Sequence, residues 1–327
     1  MENNARRNSS GKNSVLTIFG KIPPVLWVVI GLMVIFSLIS DRYLSVHNLI
    51  NIVQQGAVLL IIALAATIVI LSQGMDLSLG GVLTISGITT VITLESGFPV
   101  PLAILVGLLT GAAGGAITGL LISIGKMPPF IATLGMQGIY FGLSLAITDS
   151  KAVFTNNAVF VFLGDKVAKY IPMAAVFAGL VFFFVWVVFH HTPFGRYVVA
   201  IGGNEDGARL SGVNTTFWKW FVYVFAGFVA AIGGIILASR LEVADPIVGV
   251  GWEFDAIAAT ILGGTSFQKG KGSVNGTIIG VALITVVRNG LNVIGTPSIW
   301  QPALIGTIII VAIVFQVWLT SRKEGAK

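Results

Sequence analysis

Apolar runs about 20 residues long recur from residue 24 to residue 320, parted by short polar, proline or glycine breaks. A helix rises about 1.5 Å per residue, so that length crosses the roughly 30 Å hydrocarbon core of a bilayer. The runs that meet it predict about ten spans, at 24–40, 52–72, 77–94, 101–124, 129–148, 171–189, 217–238, 254–264, 274–293 and 299–320. The eighth is short and rich in Gly and Ala, and its pattern suits a broken helix as well as a complete crossing. The chain therefore reads as an all-α polytopic membrane protein. A tail over 1–22 precedes a membrane domain over 23–320, which carries a polar loop at about 190–216, and a second tail covers 321–327.

Within the fourth span Gly107, Gly111, Gly115 and Gly119 recur at every fourth position. This spacing lines them along one helix face and predicts close approach of a neighbouring backbone. Lys and Arg then orient the spans. With the N-terminus in the cytoplasm, about 13 of them fall inside and about 6 outside, the bias that fixes topology in membrane proteins. Both termini are then inside. An even count of spans permits an inverted repeat relating spans two to five to spans seven to ten.

Composition agrees with the pattern. The 327 residues are 55% hydrophobic and 10% charged, against roughly 25% charged in a soluble domain, and mean hydropathy is +0.95. The net charge of +6 is accounted for by topology and is no nucleic-acid footprint. With no cysteine, disulfide frameworks, thiolate metal sites and thiol nucleophiles are excluded. His47, His190 and His191 are the only histidines and none has metal-ligand or triad spacing. The stretch Gly264 to Gly272 imitates a phosphate loop. A Walker A motif needs four residues between its glycines and Ser or Thr after the lysine, whereas here five intervene and Gly272 follows Lys271. No ATP site is legible in the chain.

Four segments carry candidate chemistry. In Gln73-Gly74-Met75-Asp76-Leu77-Ser78 a carboxylate sits between two apolar spans, where charge is costly and calls for a reason. Asp76 or Ser78 can cap the following helix, and Gln73, Asp76 and Ser78 can equally line a route for a hydroxyl-rich solute. Pro128 and Pro129 mark a helix start, with Thr133 one turn on. The polar loop from Gly202 and Gly203 through Asn204, Glu205, Asp206, Ala208, Arg209, Leu210 and Ser211 to Gly212 predicts a short exposed helix. Asn204 would cap it, and its acids would sit at the positive end of the dipole. Such a helix is either a connector or a docking element for a cytoplasmic partner. Near the outer end of the ninth span, Arg288, Asn289 and Asn292 can donate to a solute or tie helices together.

Five motifs in order resemble the ribose/xylose/arabinose/galactose-type ABC importer permeases. They are Gln73 to Ser78, Pro128 to Gly135, Thr192 to Arg196, Gly202 to Gly212, and Asp255 to Ala259 followed by Gly263 to Ser266. The likeness covers nearly the whole chain after residue 25, with departures at Gln268 to Gly272 and at Arg288. The resemblance implies a multi-pass protein of the bacterial inner membrane that passes a monosaccharide and is not itself an enzyme. It further implies a second permease copy, identical or paralogous, two ATPase subunits that bind ATP and Mg, an extracytoplasmic sugar-binding protein, and surrounding lipid. The loop after the sixth span would be the coupling helix. Two rival readings remain at this stage. One keeps the architecture and carries nucleosides or branched-chain amino acids. The other is an ion-coupled secondary transporter, for which Asp76 is nearly the only ionisable group within the spans.

Overall fold

The computed structural model of the protein describes residues 24–167, 170–267, 270–297, 299–301, 303–308, 310–311 and 314. Its helices are α1 (Pro24–Ile39), α2 (Val46–Leu71), α3 (Leu79–Glu95), α4 (Val100–Ser123), α5 (Pro129–Ile147), α6 (Ala158–Val161), α7 (Met173–His191), α8 (Pro193–Gly203), α9 (Glu205–Leu210), α10 (Thr215–Leu241), α11 (Trp252–Leu262) and α12 (Val274–Val293). Two small antiparallel ladders join the loops: β1 (Val153–Phe154) pairs with β4 (Val243–Ala244), and β2 (Lys166–Val167) pairs with β3 (Ile171–Pro172).

Six of these helices, α2, α4, α5, α7, α10 and α12, are long and apolar enough to cross a membrane, while α1 and α3 are apolar but shorter. The eighth expected span is the exception. At 11 residues α11 is about 16 Å long, half of a hydrocarbon core, so it cannot cross alone. Of the tenth expected span, 303–308 is helical. The rest of it beyond the described positions, and both tails, lie outside the described residues.

The boundaries follow local chemistry. α2 begins six residues before the expected 52 because Ser45 accepts the Asn48 amide and so caps a polar first turn. Pro128 and Pro129 occupy the N-cap and first position of α5, where a missing N–H costs nothing. From Gly56 on, α2 is apolar around its whole circumference, and it accordingly runs through the centre, buried from Ala57 to Leu71 except at Leu60. Its Thr67 hydroxyl lies 2.7 Å from that of Thr277 and 3.2 Å from that of Thr260, which ties α2 to α12 and α11. Against this centre pack α7, α10, α11 and α12, while α3 and α4 pack on α10, which α4 approaches through its glycines. A Cβ at Gly111 would stand 2.6 Å from the Gly227 carbonyl, and one at Gly227 would stand 2.3 Å from that of Gly111. The two backbones touch, as the spacing predicts. The opposite face of α4 exposes Leu102, Leu105, Leu109 and Ile117, so the helix lies at the rim of this chain's bundle with only its glycine face inward.

Candidate functional site

The break between α2 and α3 is built around Asp76. Gln73 holds a left-handed backbone at φ 61°, which turns the chain out of α2. Asp76 is buried, and its Oδ1 accepts both the Ser78 amide at 2.8 Å and the Ser78 hydroxyl at 2.6 Å. Asp76 thus makes the capping contact at the entrance to α3, and Ser78, at the N-cap itself, makes none with its own side chain. Tyr140 of α5 and Tyr223 of α10 lie within electrostatic reach of the carboxylate, and the Tyr223 hydroxyl donates to the Met75 carbonyl at 3.4 Å. Tyr223 also stands against Gly74 in the break, whereas Tyr140 packs against Gly81 of α3 and donates its hydroxyl to the Gly114 carbonyl at 2.7 Å. Nothing in the sequence singled them out, because a buried Tyr among apolar residues gives no periodic signal.

The loop of 192–214 forms at the same end of the bundle. The Thr192 hydroxyl accepts the Phe194 amide and starts α8. At the other end of α8, Gly202 lies directly against the end of α2. A Cβ there would sit 1.9 Å from the Leu71 carbonyl oxygen and 3.0 Å from Gly270 Cα. Gly203, just beyond, has open space around it. Asn204 then caps α9 by accepting the Gly207 amide at 2.9 Å. Glu205 gathers two cations, Lys219 of α10 at 2.9 Å and Arg209 at 3.3 Å, and Arg209 also reaches Asp206 at 3.6 Å. Partial burial would raise the Glu205 carboxyl, but Lys219, seconded by Arg209, holds it below the usual range. Ala208 is buried, whereas Leu210 projects with 89% of its surface exposed. Ser211 and Gly212, the latter at φ 84°, turn the chain towards α10.

The remaining predicted residues scatter. Thr133 is buried on α5, its hydroxyl 3.4 Å from the Phe130 carbonyl. Asn289 exchanges two 2.9 Å hydrogen bonds with Asn48, a reciprocal amide pair that ties α12 to the start of α2. Asn292 accepts from Gln301 at 2.7 Å. Arg288 pairs with Asp255 of α11. Next to that pair, Glu253 is buried at 1% exposure and accepts from Gln137 of α5 and from the Gly251 amide at 3.3 Å. Nothing in the sequence marks Glu253 as a buried acid. Only the proximity of Gly80, where a Cβ would collide with Glu253 Oε2, shows why a glycine stands opposite.

The family model for the permease component of branched-chain amino acid transport systems matches residues 48–313. The chain is 40% identical to the ribose import permease protein of Bacillus subtilis over 94% of its length and 95% of that protein. It is 34% identical to the D-allose transport system permease protein of Escherichia coli over 85% of each. With the galactose/methyl galactoside import permease protein of the same species it shares 35% identity over 96% and 98%. No solved structure matches.

Proposed function

The chain belongs to the family of branched-chain amino acid transport system permease components, and on that footing we propose that it is the membrane subunit of an ATP-driven importer of a monosaccharide. It resides in the bacterial inner membrane and supplies the route, while separate subunits hydrolyse ATP and deliver the sugar. The cargo rests on the similarity to three sugar permeases along nearly the whole chain.

The mechanism rests on one contact, Gly202 against Leu71. A polar loop that docks on a cytoplasmic ATPase must pass movement into the spans. Here α8 bears on the last residue of α2, five positions before Asp76. Displacement of α8 is therefore displacement of the break that Asp76 caps. Exposed Leu210 and the charges of α9 supply the docking face, since a protruding apolar side chain ringed by charge suits burial in a partner's pocket. ATP-driven closure of the partner then biases the permease between two states.

The Lys and Arg bias supports a cytoplasmic position for this loop, which puts the β1–β4 ladder outside. A cysteine at Asn156, in a chain with none of its own, should react with an impermeant thiol reagent in intact cells, while one at Ser211 should not. The reverse pattern would invert the orientation. The cargo is tested with the complete importer in proteoliposomes, offered D-ribose, D-allose, D-galactose, uridine and L-leucine. Uptake of at least one sugar and of neither other compound is expected. Uptake of uridine or leucine alone would overturn the cargo.

A further inference from the structure

At the end of the bundle away from α8 and α9, a cavity of about 240 Å³ opens between α2, α10, α11 and α12. Gln55, Arg240, Trp252, Asp255, Thr285 and Arg288 line it, with Leu59, Leu237 and Val248 among the apolar remainder. Its polarity is unusual for a space inside a membrane bundle, where ionisable groups mark solute paths. Three polar atoms of the wall are buried and find no hydrogen-bond partner among the described residues: Gln55 Oε1, Thr285 Oγ1 and Arg288 Nε. Arg240 makes one long hydrogen bond, to the Gln54 carbonyl at 3.5 Å, and no ion pair among the described residues. Buried polar groups are normally satisfied, so unmet capacity clustered around one cavity needs an explanation.

The chemistry of the wall defines what would fill it. Gln55 Oε1 accepts, Arg240 and Arg288 donate, and the Thr285 hydroxyl does either. Hydroxyl groups of a solute both donate and accept and therefore suit all four. Trp252 and the aliphatic residues offer an apolar wall for the C–H face of a sugar ring. Arg288 and Asp255 neutralise each other, and the guanidinium of Arg240, which has no ion pair among the described residues, opposes a cation. The volume falls below the roughly 300–1,000 Å³ of pockets for drug-sized ligands, which limits the occupant to a single ring. Arg240 also lines a second, polar cavity of about 260 Å³, bounded by Gln54, Asp165, Lys166 and Glu242 and facing the loops that carry β2 and β4. Arg240 is the residue that the two linings share.

Resting on the monosaccharide reading above, we propose that the cavity between Gln55, Arg240 and Arg288 is a sugar-binding site within one permease subunit, reached from the outer cavity past Arg240. The complete importer, with ATPase and binding protein, is assembled in proteoliposomes, and initial uptake of D-ribose, D-allose and D-galactose is measured. For whichever sugar the native importer carries, Thr285→Val and Arg240→Gln should each reduce uptake at least tenfold in complexes recovered at native yield. Thr285→Ser, which keeps the hydroxyl, should restore it. Should Thr285→Val fail to assemble, Gln55→Met carries the same test with the same expected loss. Native uptake that all the substitutions leave unchanged would overturn the site and leave the importer reading standing, with the cavity holding water alone. Absence of uptake of every sugar by the native importer would overturn both.

Discussion

A methyl group at residue 202 would stand 1.9 Å from the Leu71 carbonyl oxygen, closer than any real contact, and this fixes glycine there through packing and not through backbone freedom. Asp76 makes a comparable demand. Its carboxyl group is buried, and the two hydrogen bonds it accepts both come from Ser78, so it holds the entrance of α3 in shape and places an ionisable group deep in the protein. Asp76→Asn keeps an acceptor and removes the ionisable group. We expect native membrane levels with uptake lowered at least tenfold, measured as radiolabelled sugar accumulation normalised to permease in the membrane. Intact uptake would reduce Asp76 to a cap. Both residues stood out in the sequence, one as a charge between spans and one within a glycine-rich motif. Their partners did not. Tyr140 and Tyr223 reach the break from helices far away in the chain, and Glu253 is buried against Gly80 by a contact that no local pattern encodes.

Elements were more legible than sites, because a span is defined by its own length and hydropathy whereas a site is assembled from several. Val274–Val293 lies where the apolar run alone placed it, and most other spans moved by a few residues at polar ends such as 46–51. The glycine stripe of α4 shows an element property that the sequence carried fully, since four small residues in register have one use, close approach of a partner. Its partner, α10, was not legible. Gly111→Leu should force the α4 and α10 backbones apart, at a cost of 1–3 kcal/mol or more by the usual scale of overpacking. A fall in monodisperse yield and in melting temperature, read by fluorescence-detected chromatography after heating, is the expected result. A Gly135→Leu control should be tolerated in the isolated chain, since that glycine has open space around it. The shortness of α11 shows the limit of the same reasoning. Its Gly- and Ala-rich sequence marks a departure from a regular span, but only its packing against α2 and α12, partly through the Thr67, Thr260 and Thr277 hydroxyls, shows a half-length helix held inside the bundle.

On the scale of the molecule the two ends of the bundle do different work. One end brings α8 and α9 against the end of α2 beside the Asp76 break, and the other gathers polar cavities around Arg240. Under the proposed reading import would need both, with an ATP-hydrolysing partner and a sugar-delivering partner acting from opposite sides and the spans linking them. The account therefore depends on whether a push on α8 reaches the break. The most direct measurement reconstitutes permease, ATPase and binding protein in lipid and compares sugar-stimulated ATP hydrolysis of the native complex with that of Gly202→Ala, in which one methyl group separates α8 from Leu71. The prediction is that Gly202→Ala inserts and retains its ATPase, because the α9 docking face is untouched, yet loses most of the stimulation by sugar-loaded binding protein. Stimulation equal to the native complex would contradict the account, for the loop would then be a connector and its contact with α2 would transmit nothing.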